Sequence, residues 1–145
     1  MTLTFGPPKS GWDFKGKNAK RVYIAGGMRG YENFNFPAFD RAAEQLRAKG
    51  WTVLSPAEMD RAIGIDETVE ELPDNFIFDA LRRDFAGICT VDAIVFLPGW
   101  ERSSGARAEA RVGLDIGLDF YEIGPRGGLA RLHRANIRKV IVYGC

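Results

Sequence analysis

Short apolar runs alternate with amphipathic stretches along most of the chain. Val22-Tyr23-Ile24-Ala25 is an apolar run ending in Gly26-Gly27 and reads as a buried strand. After a loop from Met28 to Asn35, the apolar residues Phe39, Ala43 and Leu46 recur at helical spacing and predict a helix over about 36–49. Asn35 is its candidate N-cap, Pro37 suits its first turn and Gly50 suits its stop. Trp51 to Leu54 reads as a second strand, closed by Ser55-Pro56. The acidic stretch 57–74 holds no sustained period and reads as a solvated excursion with one short helix. A helix follows over about 75–88, then a third strand from Asp92 to Leu97, stopped by Pro98-Gly99. Ser103 to Gly117 reads as a helix, Phe120 to Ile123 as a fourth strand, Leu129 to Asn136 as a short helix and Val140 to Tyr143 as a last strand.

Strands alternating with helices imply an α/β domain with helices on both faces of a parallel sheet. Right-handed crossovers make it a doubly wound, five-stranded sheet in the order 2-1-3-4-5. Residues 21–145 would form this single domain. Residues 1–20 carry Gly6, Pro7, Pro8, Gly11 and Gly16 and read as an N-terminal arm, with Phe5, Trp12 and Phe14 to pin it. In such sheets ligands bind outside the carboxyl ends of the strands where the order reverses, here between the first and third strands. Two loops are thereby singled out, Gly26 to Asn35 and Pro98 to Gly105.

The first loop contains Gly26-Gly27-Met28-Arg29-Gly30. Its glycines allow a ligand close to the backbone, and Arg29 can pair with a phosphate. The same residues also fit a plain strand-to-helix turn, since neither GxGxxG nor a Walker lysine is present. In the second loop Ser103 or Ser104 is a natural N-cap, and the helix start through Gly105 offers free N–H groups to an anion. Trp100 can stack on a planar base, or simply lie at the surface. On the helix that follows, Arg107, Arg111 and Asp115 form a solvated face. Glu109 is different: its helical neighbours Gly105, Ala106, Val112 and Gly113 carry no charge. A carboxylate on a small-residue face has no local ion pair, and burial there would raise its pKa; the alternative is an exposed helical glutamate. Asp84, on the preceding helix, either joins the same cleft or pairs with a surface arginine. Two carboxylates in one cleft suit displacement at an anomeric carbon.

Composition narrows the class. The 145 residues are 46% hydrophobic and 27% charged, which is ordinary globular usage. Lysine and arginine number 20 against 19 aspartates and glutamates, and this near-neutral balance disfavours a nucleic-acid polymer as partner. No apolar stretch is long enough for a membrane span, and no secretory h-region is visible, so a cytoplasmic protein is expected. Two cysteines, Cys89 and Cys145, and one histidine, His133, disfavour a zinc-type site. Cys89 is expected to be a buried thiol. The basic segment holding Arg126, Arg131, His133, Arg134, Arg138 and Lys139 reads as a solvated face, and His133 is not assigned a catalytic role.

At this level of detail the chain resembles the nucleoside 2-deoxyribosyltransferase-like proteins, most closely a small branch common in phage and bacterial genomes and related to nucleotide N-hydrolases. The resemblance rests on residues 22–30, on Asn35-Phe36-Pro37-Ala38-Phe39, on Ser55-Pro56-Ala57-Glu58 and above all on Asp92 to Glu101, running on through Ser103 to Glu109. It spans about residues 21–123. It implies a flavodoxin-like (Rossmann-like) fold acting on N-glycosidic bonds without cofactor or metal. By that resemblance Glu109 stands where a glutamate attacks C1′ of the sugar, Asp84 where an aspartate holds or protonates the substrate, and Tyr23 where a tyrosine flanks the nucleophile. The transferases carry an aspartate six residues before the nucleophile, against the sugar 5′ hydroxyl, and this chain has Ser103. The nucleotide N-hydrolases place a serine there against a 5′-phosphate. The resemblance thus implies a nucleoside or nucleoside 5′-monophosphate ligand, with Gly26, Gly27, Met28, Arg29, Gly30, Trp100, Ser103, Ser104 and Gly105 as binding residues. It also implies a homodimer or larger homo-oligomer, in which a neighbouring subunit completes the site. The alternative is a non-catalytic nucleotide-binding or sensor module using the same cleft.

Overall fold

The computed structural model describes residues 20–66, 68 and 75–144. Strand β1 (Arg21–Ala25) is buried from Val22 onward, and its side chains alternate between two apolar layers, as the two-residue period of a strand requires. Val22 and Ile24 enter one layer, Tyr23 and Ala25 the other. A strand buried on both faces belongs inside a parallel sheet. β1 accordingly lies between β2 (Thr52–Leu54) and β3 (Ala93–Phe96), parallel to both, with Tyr23 opposite Leu54 and Ile94. β4 (Asp119–Ile123) adds parallel to β3, and β5 (Leu129–Leu132) completes a five-stranded sheet in the order β2-β1-β3-β4-β5.

Helix α1 (Phe36–Ala48) covers the Val22/Ile24 layer with Phe39, Ala43 and Leu46, the predicted stripe, joined by Phe36 and Ala42. Ala57 of α2 (Pro56–Ala62) packs into the same layer. The Tyr23 layer is covered by Ile88 of α3 (Phe76–Ile88), Ala106 and Ala110 of α4 (Ser104–Asp115) and Ile137 of α5 (Arg134–Tyr143). The sheet is therefore covered on both faces, as a doubly wound α/β domain requires.

α4 lies close on the sheet because its buried face is built from small residues. At Gly113 a Cβ would stand 2.7 Å from Ile94 Cδ1 and 3.1 Å from the Phe120 ring. Gly113→Ala is expected to cost about 1–3 kcal/mol through overpacking. Urea unfolding would read this as a lower midpoint with an unchanged m-value.

The last quarter of the chain departs from the sequence reading. Residues 129–132 form a strand, and Val140 to Tyr143 end a helix. The five-residue turn 124–128, with Gly127 at φ +83°, is far too short for the crossover that a parallel strand needs. β5 therefore runs antiparallel to β4, with Phe120 opposite Leu132. The β-branched run Val140-Ile141-Val142 imitates a strand, yet burial follows a helix: Ile137 and Val140 are covered, while Val142 and Tyr143 are exposed.

Two smaller expectations also change. Cys89 is exposed at the C-cap of α3, and Asn35 does not cap α1 with its side chain. The arm over residues 1–19 and Cys145 lie outside the described residues. Among the described residues no helix is long and apolar enough to cross a membrane.

Candidate active site

The carboxyl ends of β1 and β3 flank the reversal in strand order, and a cavity of about 300 Å³ opens there. One wall is the chain leaving β1, residues Gly26 to Arg29. Its shape is held from α1's start, where Asn35 Nδ2 donates to the Gly27 carbonyl at 2.9 Å. Asn33, Phe34 and Asn35 all have positive φ, a backbone that side chains other than asparagine rarely adopt, and Phe34 lines the cavity wall. The opposite wall is the start of α4. Ser103 is its N-cap and accepts from the Ala106 amide at 3.1 Å, with Ser104 and Gly105 beside it. α3 supplies a third wall through Phe76, Ala80 and Asp84, spaced four apart on one helical face. Arg29 and Arg102 stand exposed at the rim, and neither forms an ion pair among the described residues.

The floor carries the charge. Ala106, Glu109, Ala110 and Gly113 form the buried face of α4, so the helical period turns Glu109 inward to 5% exposure. The strand period turns Tyr23 towards it from below, and the Tyr23 hydroxyl donates to Glu109 Oε2. Burial, and then the charge of Asp84, hold Glu109 well above the ordinary carboxylate range, while the tyrosine bond opposes this. Burial likewise raises Asp84, to about 7, with the charge of Asp60 adding to the rise and Arg83 and a hydrogen bond with Tyr23 opposing it. Asp84 Oδ1 is buried without a partner. Burial also raises Tyr23 well above its ordinary value, followed by the charge of Glu109. Neighbouring acids of like charge oppose each other's ionisation.

Of the residues singled out in the sequence, the structure brings Gly26, Gly27, Met28, Arg29, Asp84, Ser103, Ser104, Gly105 and Glu109 to one cavity, with Tyr23 directly beneath Glu109. Gly30 is exposed and not on the wall. Trp100 is not available to a ligand: it is 2% exposed and stacked on Phe96, with centroids 3.9 Å apart. The short 3₁₀ turn over Trp100–Arg102 folds the indole back onto the sheet. Asp60 was hidden in the sequence. It sits in an acidic stretch that looks solvated, yet it is 2% exposed and lines the cavity, 3.5 Å from Arg83 Nη2. Its place four residues after the Pro56 helix start is the only local signal. Among the described residues no group of three or more His, Cys, Asp or Glu side chains is arranged to hold a metal ion.

A mostly parallel 2-1-3-4-5 sheet with helices on both faces defines a flavodoxin-like α/β domain. The structure of a 2-deoxyribosyltransferase from the psychrotolerant bacterium Bacillus psychrosaccharolyticus matches it with a TM-score of 0.56 and 19% identity, over 85% of this chain and 91% of that one. The chain belongs to the family described as "Domain of unknown function (DUF4406)", whose model matches residues 20–121. No curated protein matches it.

Proposed function

We propose that the protein cleaves, or transfers across, the N-glycosidic bond of a nucleoside or nucleoside 5′-monophosphate of the ribo or deoxyribo series. The observation that carries this is the buried Glu109 on the floor of a ligand-sized cavity, with Tyr23 donating to it and the half-buried Asp84 on the adjoining wall. The fold shared with a 2-deoxyribosyltransferase supports it. In the singly protonated pair, a Glu109 oxygen closes on C1′, forming a glycosyl ester or stabilising the oxocarbenium ion. The C1′–N electron pair leaves with the base, and Asp84 gives the base a proton. Water or a second base then takes the sugar. Tyr23 orients Glu109, and a neighbouring subunit of a homo-oligomer completes the site.

The 5′ end of the ligand is assigned to the opposite walls. Ser103, the amides at Ser104 and Gly105, the Gly26–Met28 backbone and Arg29 surround an anion there, and Arg102 adds a second cation that the sequence did not single out. Free-base release from nucleosides and their 5′-monophosphates tests the reaction. Ser103→Asp tests the phosphate assignment, because aspartate still caps the helix. It should leave thermal stability nearly unchanged and weaken the 5′-monophosphate relative to the nucleoside by at least about tenfold.

A sensor using the same cleft is the weaker reading. Binding alone gains nothing from two carboxylates in the cavity whose ionisation the fold resists.

A further inference from the structure

Two polar side chains meet at the rim of the cavity, carried by the two loops that flank the switch point. Tyr31 stands on the loop leaving β1 and Arg102 ends the 3₁₀ turn that follows β3. Both backbones are tied down. The Tyr31 amide donates to the Met28 carbonyl at 3.2 Å, and the Tyr31 carbonyl accepts from the Phe34 amide at 3.1 Å. The Arg102 amide donates to the Gly99 carbonyl at 3.2 Å. Both side chains pack where a glycine leaves room. A Cβ at Gly27 would stand 2.6 Å from Tyr31 Cε2, so the phenol ring needs the bare backbone there. A Cβ at Gly99 would stand 2.8 Å from Arg102 Nη2 and 3.6 Å from the Tyr31 hydroxyl oxygen. The hydroxyl and the guanidinium thus converge on one point above Gly99. Neither has a hydrogen-bond or ion-pair partner among the described residues, and both residues line the cavity beside Ser103 and Ser104.

We propose that Tyr31 and Arg102 form a clamp on the outer oxygens of the ligand's 5′-phosphate and determine the preference for a phosphorylated ligand. This rests on the reading of the cavity as a nucleotide site with its 5′ end at the start of α4. A phosphate monoester presents several acceptor oxygens and a negative charge, and it can take a guanidinium fork and a hydroxyl donor together. A free 5′ hydroxyl has neither the charge nor the oxygens to engage both. Ser103 does not suffice for this contact: its oxygen already accepts from the Ala106 amide, and its one proton gives a single bond to the ligand. Arg29 supplies charge from the β1 side, whereas Tyr31 and Arg102 join the two loops across the phosphate.

Isothermal titration of the full chain with ribo- and deoxyribonucleoside 5′-monophosphates of the common bases, each beside its nucleoside, tests the clamp. It is done in the Glu109→Gln background, so that no ligand is consumed, and the ratio of kcat/KM for the same ligand pairs in the otherwise wild-type chain gives a second reading. At least one 5′-monophosphate should bind about tenfold or more tightly than its nucleoside. Tyr31→Phe should weaken that monophosphate by about fivefold or more and Arg102→Gln by about tenfold, each leaving the nucleoside within about twofold. Tyr31→Phe keeps the ring against Gly27, so a ring that serves only as packing would show no change. Gly27→Ala keeps the hydroxyl but displaces the ring, and should weaken the monophosphate as Tyr31→Phe does. A monophosphate affinity unchanged in either rim variant, a loss shared equally by the nucleoside, or a nucleoside that binds as tightly as every monophosphate would overturn the proposal. Failure of the wild type to release any base removes the glycosidic reading alone, because the affinities are read without turnover.

Discussion

Glu109→Gln is expected to lower the rate of base release by about a thousandfold or more, while ligand affinity stays within about fivefold. Glutamine keeps the size and the acceptor oxygen facing Tyr23, so the floor of the cavity should hold its shape. What it lacks is a charge to bring to C1′. Glu109 has no cation to pair with on its own helix face and is nearly sealed from solvent. A structural role would be served better by an apolar side chain, because leaving an ionisable group in this position costs stability. Steady-state kinetics beside isothermal titration of the same ligand separate the two effects. Equal losses of kcat and affinity would point to a damaged cavity rather than a missing nucleophile.

Asp84→Asn should do the opposite to stability from what it does to activity. Asp84 titrates near 7 in the folded chain, against 3.8 for the ordinary side chain. An acid whose folded value is raised is fully tolerated below its unfolded value. Its favourable contribution is then lost as pH rises through the folded value. At about 1.4 kcal/mol per pH unit, the wild type loses up to roughly 4 kcal/mol relative to a neutral isostere between pH 3.8 and 7. Asp84→Asn should therefore match the wild type in stability near pH 3.5 and exceed it increasingly up to pH 7–8. Its base release should fall about 10²–10⁴-fold for want of the proton. Thermal melts across pH check the first half. A variant less stable than wild type at pH 8 would mean that the Asp84 carboxylate is well solvated or well paired, against its buried, unpartnered Oδ1.

Much of this arrangement was legible in the sequence, for reasons that can be traced to particular residues. The run from Val22 to Ala25 is apolar at every position because β1 is buried on both faces, and that marked the centre of the sheet. The neutral, small neighbours of Glu109 reflect the face that α4 presses onto the sheet, so its burial could be read from spacing alone. Local pattern failed where tertiary context decides. Val140-Ile141-Val142 has strand composition, but the short turn before β5 had already used the sheet edge. Trp100 looked like a loop aromatic because its partner, Phe96, belongs to a strand whose facing could not be fixed from the loop. Asp60 was missed because an acidic stretch reads as solvated until the fold brings Arg83 and the cavity wall against it.

The role proposed for Glu109 is chemistry at a glycosidic carbon. Its most direct test is chromatographic detection of free base after incubating ribo- and deoxyribonucleosides and their 5′-monophosphates with wild type and with Glu109→Gln. Base release is expected from the wild type alone, fastest from a 5′-monophosphate. Tight binding of one of these compounds with no base released by the wild type, in the presence or absence of an acceptor base, would contradict it.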